Sequence, residues 1–117
     1  MFKLGQSESY WYPVTIELVD VEGKKKKFDF DAKFKRLDDD ERRDLLVRED
    51  GDDRPLPKDK EVVQQVFEGW RKVQDAEGGE LTVNDSNREA LLKVEGMTRA
   101  IVIAWAKSID IEGRAKN

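Results

Sequence analysis

Phe67-Glu-Gly-Trp70-Arg-Lys-Val-Gln-Asp-Ala-Glu-Gly-Gly-Glu-Leu-Thr-Val83-Asn84 divides this chain in two. A Trp stands just past an amphipathic run, Gly78-Gly79 marks a turn, and a short apolar return (Leu81, Val83) leads into the last pair of helices. Residues before the stretch read as β-rich, and residues after it read as helical. On its upstream side, Val62, Val63, Val66, Phe67 and Trp70 recur at spacings of 1, 3, 1 and 3. That is one apolar stripe on a helix starting near Asp59. Trp70 is therefore read as a core anchor rather than a ligand platform.

Working towards the N-terminus, Glu49-Asp-Gly-Asp-Asp-Arg-Pro-Leu-Pro57 is a loop, marked by Gly51 and two prolines. Before it, Asp38-Asp-Asp-Glu41 opens a charged helix that runs to about Arg48. Asp38 and Glu41 have the spacing of a capping box, and the acids suit the positive end of the helix. Only Leu45, Leu46 and Val47 are apolar there, so this helix is expected at the periphery. Val14, Ile16 and Leu18 alternate with polar residues, as do Phe28, Phe30, Ala32 and Phe34. Both runs predict strands with one buried face, joined by a turn at Asp20-Val-Glu-Gly23. Residues 1–12 are expected to form a partly extended arm whose Tyr10-Trp11-Tyr12 cluster covers one end of the sheet. Lys24-Lys-Lys-Lys27 is either a phosphate- or acid-binding patch or a device that keeps a strand edge from pairing with other chains. The second reading is favoured, because the run is short and acids follow at once.

Towards the C-terminus, Asn84 or Ser86 caps a third helix, with Ser86 and Glu89 also spaced as a capping box. Leu91, Leu92 and Val94 give its apolar side, and Gly96 ends it. A fourth helix, Met97 to about Ile109, buries Met97, Ala100, Ile101, Ala104, Trp105 and Ser108 on one face. Val102, Ile103 and Ala106 fall outside that stripe, which makes them the candidate partner-binding residues. The expected architecture is α+β: an N-terminal antiparallel β-hairpin or small sheet packed with about four helices. Residues 1–112 form the single domain, and 113–117 form a polar C-terminal tail.

Charged residues make up 41% of the 117 residues and apolar ones 38%. The apolar positions are strongly patterned, so a folded domain with a heavily solvated surface is expected. The chain has neither Cys nor His. A disulfide framework and thiolate or imidazole metal sites are thus ruled out, and the commonest catalytic base is missing. A carboxylate metal site at Asp38–Glu41 would need Asp29 and Asp31 to converge on it, and no EF-hand register fits around Gly51 or Gly78. No cofactor and no metal are expected. The net charge of −4 argues against general nucleic-acid binding. No apolar run reaches the roughly 20 residues of a membrane span, and Met1-Phe-Lys-Leu does not read as a signal peptide.

The order of these features resembles the tail assembly chaperones of long-tailed, siphovirus-like phages and prophages. Four segments carry the likeness across nearly the whole chain. Met1-Phe-Lys-Leu leads to an aromatic and then Pro13-Val-Thr-Ile-Glu-Leu18. Phe34-Lys-Arg-Leu37 runs into Asp38-Asp-Asp-Glu-Arg-Arg. Val66-Phe-Glu-Gly-Trp70 precedes Asp75-Ala-Glu-Gly-Gly-Glu-Leu81, the most specific of the four. Val83-Asn-Asp-Ser is followed by Leu91-Leu92, a Gly and a closing helix.

The resemblance implies a non-enzymatic protein that binds the tape measure protein, keeps it soluble and helps recruit major tail tube subunits. It implies action in the host cell cytoplasm and absence from the mature virion. Many such chaperones also have a longer form made by ribosomal frameshifting, and this chain resembles the short form. The family has no catalytic residues to carry over. A homo-oligomer is expected from the surplus apolar positions on the last helix. The competing reading is a small structural or adaptor protein of the virion, in tail completion or head–tail connection. An enzyme or metal protein is the third.

Overall fold

The computed structural model describes residues 1–5 and 7–109, so the tail assigned to 113–117 lies outside the described residues. Strand β1 (Ser9–Val19) and strand β2 (Lys25–Lys35) pair antiparallel, from Ser9 opposite Lys35 to Val19 opposite Lys25. Val14, Ile16, Phe30, Ala32 and Phe34 are buried on one face, as their alternation predicts. Asp20 closes the turn, its Oδ1 accepting the N–H groups of Glu22 and Lys24 at 2.9 Å each. Gly23 supplies the positive φ of 81°, which costs a residue without Cβ nothing.

Two expectations for this hairpin need correcting. Tyr10, Trp11 and Tyr12 belong to β1 and not to an arm, because they continue its alternation. Tyr10 and Tyr12 are half-buried on the core side, while Trp11 faces outward beneath the Arg71 guanidinium at 4.3 Å. Phe28 shares the inward face with Phe30 but is 49% exposed, because the described helices cover that end of the sheet only in part.

Helix α1 (Asp39–Leu46) buries no residue and sits at the periphery, as expected. Its capping box is formed: Asp38 Oδ1 accepts the Glu41 N–H at 2.7 Å, and the Glu41 carboxylate accepts the Asp38 N–H at 3.1 Å. Replacing Asp38 with Ala is expected to remove about 0.5–2 kcal/mol from this helix. The readout is faster amide hydrogen exchange over residues 39–46, and unchanged exchange there would count against the cap. Arg48 then fastens the loop by donating to the carbonyls of Arg54 and Pro55 at 3.1 Å each.

Helix α2 (Asp59–Val66) buries Val62, Val63 and Val66 and stops there. Phe67 and Trp70, read from the sequence as part of this helix, lie on strand β3 (Phe67–Arg71). β3 pairs antiparallel with β2 and completes a sheet of order β1-β2-β3. The register runs Asp31–Arg71, Ala32–Trp70 and Lys33–Gly69, then steps to Phe34–Phe67, leaving Glu68 as an extra residue. A one-residue bulge inverts the side-chain alternation. Phe67 and Trp70, three apart, therefore point to the same buried face.

Beyond Arg71 the chain leaves the sheet at Lys72, whose φ is 66°. The Gly78-Gly79 turn is as expected. Asp75 Oδ1 accepts from Glu77 and Gly79, and Gln74 bridges to Glu80. This return places the Leu81 carbonyl 2.9 Å from the donating Trp70 Nε1.

Helix α3 (Asp85–Leu92) is capped by Asn84, whose side chain accepts the Asn87 N–H at 2.7 Å. Ser86 lies inside the first turn, so the Ser86–Glu89 box does not form. Arg88 fastens α3 to the core: its guanidinium lies 4.9 Å from the Phe67 ring centroid and donates to the Val63 carbonyl at 3.3 Å. Helix α4 (Met97–Ser108) follows Gly96 and packs against β1 and α2. The result is a small α+β fold with one apolar core between the sheet and the helices. Among the described residues, no polar or charged side chain is buried in it.

Candidate functional site

Of the three positions singled out on the last helix, Ile103 keeps the most apolar surface in water, at 42% exposure. Met97, Ile101, Ala104 and Trp105 turn inward, as their spacing requires. Val102 and Ala106 are half-buried on the flanks, with Val102 packed against the edge of the core. The structure thus brings the three together on the outer side of α4, with Ala106 between Val102 and Ile103 and Ile103 the most exposed. Arg99 stands on the same helix and lies 3.5 Å from Asp59 on α2.

A second apolar surface was not foreseen. The inward face of the hairpin's far half opens into a groove of about 890 Å³. Ile16, Leu18, Phe28 and Phe30 line it from the sheet, Val73 from beyond β3, Leu91 and Met97 from α3 and α4, and Val94 from the connection between them. Its cause is a mismatch of lengths. Eleven strand residues extend about 36 Å, whereas the twelve residues of α4 extend about 18 Å. The helix can therefore cover only about half of the strands. β3 is shorter still: it pairs with Asp31–Phe34, so among the described residues no strand pairs with the second side of Lys25–Phe30 of β2, and the segment from Arg71 to Gln74 lines the groove instead. The sequence signal was Phe28, which continues the inward alternation past the reach of the helices.

Charge surrounds these surfaces. Lys26 lies 3.4 Å from Asp20 and Lys25 lies 3.9 Å from Glu17, all near the hairpin mouth. Asp31 receives Arg71 at 2.9 Å and Lys72 at 3.3 Å. The Arg71 hydrogen bond is the main cause that holds the Asp31 carboxyl below its ordinary range, against a smaller opposing effect of desolvation. The pair is therefore kept above the usual carboxylate range and is lost only as pH falls through that lowered value.

At the opposite end of α4, a pocket of about 330 Å³ lies among Tyr10, Tyr12, Leu37, Arg42, Trp105 and Ile109. Several of its polar groups are already engaged. Tyr10 OH and Ser108 Oγ are 2.7 Å apart, and Arg42 donates to Asp39 at 3.2 Å.

Among the described residues, no group of three or more metal-ligating side chains is gathered, and no helix is long and apolar enough to cross a membrane. What the described residues offer is apolar surface in a charged setting. Compared with known proteins, the chain matches no family model, no curated protein and no solved structure.

Proposed function

We propose that this chain is a non-enzymatic phage tail assembly chaperone, which binds the tape measure protein and helps recruit tail tube subunits during long-tail assembly. The observation that carries this reading is apolar surface left open within a dense charged shell. Ile103 and the groove around Phe28 are uncovered, on a chain in which 41% of residues are charged. A protein that holds an insoluble client must show apolar contact area while its rim keeps it in solution. The order of segments that resembles the tail assembly chaperones supports the same role. On this reading the protein acts in the host cell cytoplasm as a homo-oligomer and leaves before the virion is complete.

Co-expression with a helical fragment of a tape measure protein from the same phage or prophage tests the proposal. The wild-type chain is expected to keep the fragment in the soluble fraction and to co-purify with it. Ile103→Lys is expected to reduce that retention while leaving the melting temperature unchanged, because a residue so exposed contributes little to the core. A fragment that stays insoluble with the wild-type chain overturns the proposal. Stoichiometric amounts of this chain in purified particles, read by mass spectrometry, would favour the adaptor reading instead.

A further inference from the structure

Strand β1 has a neighbour on one side only. The Asp20 N–H donates to the Lys24 carbonyl at 2.8 Å, and the Arg36 N–H to the Glu8 carbonyl at 2.7 Å. Even-numbered residues of β1 therefore turn their main-chain groups to β2, while Thr15, Glu17 and Val19 turn theirs to the outer edge. Among the described residues, no main-chain partner meets them there. Pro13 has the same parity. Its missing N–H interrupts the first half of that edge and leaves the β1–β2 ladder whole. The second half is free of proline, and its Ile16 and Leu18 line the groove.

Met1, Phe2 and Leu4 are among the most exposed large apolar side chains, and residues 1–5 belong to no strand or helix. We propose that residues 1–4 of a second copy of this chain add as an antiparallel strand to the outer edge of β1 at residues 16–19. In that register Met1 lies beside Val19, Phe2 beside Leu18, Lys3 beside Glu17 and Leu4 beside Ile16. Val19 and Glu17 are exposed on the outer face, so an apolar pair and an ion pair form there. Glu17 is otherwise held only loosely, by Lys25 at 3.9 Å. Phe2 and Leu4 take the inner face and extend the wall that Ile16 and Leu18 give the groove. The added strand satisfies the outward main-chain groups of Glu17 and Val19. Gly5, with a φ of 88°, turns the chain off the edge before it meets Pro13.

The arm of the same chain cannot make this contact. Glu17 lies eight residues beyond Ser9 along β1, about 26 Å away. Six extended residues from Ser9 back to Lys3 reach at most about 22 Å, even without the reversal of direction that the contact needs. The arm is too short for its own edge and free to enter a neighbour's. Symmetric pairing of two β1 edges is disfavoured in turn, because α4 packs along β1. It would bring the two α4 helices to about one strand spacing, ~4.8 Å, where packed helices need about 8–10 Å. A lone arm carries no helix beneath it. The inference does not rest on the assembly-chaperone reading.

Light scattering on the intact chain tests it through two variants, one in each partner surface. Phe2→Asp combined with Leu4→Asp disables the arm. Glu17→Pro disables the edge, because the N–H it removes points away from β2. The wild-type chain is expected to self-associate, and each variant alone to run at the mass of one chain, 13.6 kDa. Each apolar side chain lost from the arm should weaken association about tenfold or more. Mixing the two variants restores one intact arm and one intact edge, so a heterodimer is expected.

A charge exchange reads the register without touching the main chain. Lys3→Glu should weaken association about fivefold, and adding Glu17→Lys should restore it. Both side chains are exposed, so these variants are expected to stay folded. Ile103→Lys should leave the mass unchanged. A wild-type chain that remains a monomer overturns the proposal. So does association that survives the arm variant, a mixture that stays monomeric, or a charge exchange that fails to restore what Lys3→Glu removes.

Discussion

Replacing Trp70 with Ala is expected to destabilise the domain by about 3–5 kcal/mol, the range for removing a large buried aromatic. Trp70 is 3% exposed and stacks on Phe67, with ring centroids 6.0 Å apart and planes tilted by 24°. The indole is held at both ends of its chemistry. Its rings fill the space beneath Ala32, its partner on β2, while Nε1 donates to the Leu81 carbonyl. Trp70→Phe separates the two contributions. It keeps an aromatic ring and leaves the Leu81 carbonyl without its donor, at about 1–3 kcal/mol. Urea unfolding of both variants is the measurement. An alanine variant within about 1 kcal/mol of the parent would mean that β3 is not anchored through this side chain.

Why β3 was unreadable follows from the same residue. Val62, Val63, Val66, Phe67 and Trp70 satisfy a helical stripe without exception, and a continuous helix is the simplest object with that period. The chain in fact changes from α2 to β3 at Val66–Phe67. A regular strand would have shown itself by putting Phe67 and Trp70 on opposite faces. The bulge at Glu68 hides that signature by turning them to the same side. Gly69 was the local clue, since a glycine inside a helical pattern is unfavourable and inside a strand often marks a bulge. The hairpin had no such ambiguity, because its alternation over β1 and β2 has no helical equivalent. The cap at Asp38 was equally legible, being set by residues three apart.

The two apolar surfaces differ in the same way. Ile103 was legible from rotation about one helix axis, a local property of α4. The groove depends on how far α4 reaches along β1 and β2, and on where β3 stops. Neither is local, and the second was hidden with β3 itself. Phe28 shows the limit of alternation as a guide: period two fixes which face a side chain takes, not whether anything covers it. Exposure at the end of a strand is decided by the length of the partner layer.

Trp105→Ala is expected to cost about 3 kcal/mol, at the low end of the range for a buried Trp. The side chain is 2% exposed and closes α4 onto the β1 end of the sheet. It also borders the open pocket of about 330 Å³ beside Tyr10 and Tyr12. The space left by truncation would join that pocket and admit water. The transfer term is then lost in full, while the penalty for an empty, sealed cavity is relieved. Trp70, held on β3 beneath β2, has no such relief, so its alanine variant should be the less stable of the two. A polar latch reinforces the Trp105 end: Ser108 Oγ donates to the Trp105 carbonyl at 2.6 Å and stands 2.7 Å from Tyr10 OH. Tyr10→Phe removes one bond of that latch and is expected to cost about 0.5–1.5 kcal/mol. Because Trp105 and Tyr10 meet at the same pocket, the double variant should fall short of the sum of the singles, as a shared contact surface requires. Denaturant melts of the two singles and the double decide it. Strict additivity would place the two side chains in independent parts of the core, and α4 would then be fastened to β1 elsewhere than at Trp105.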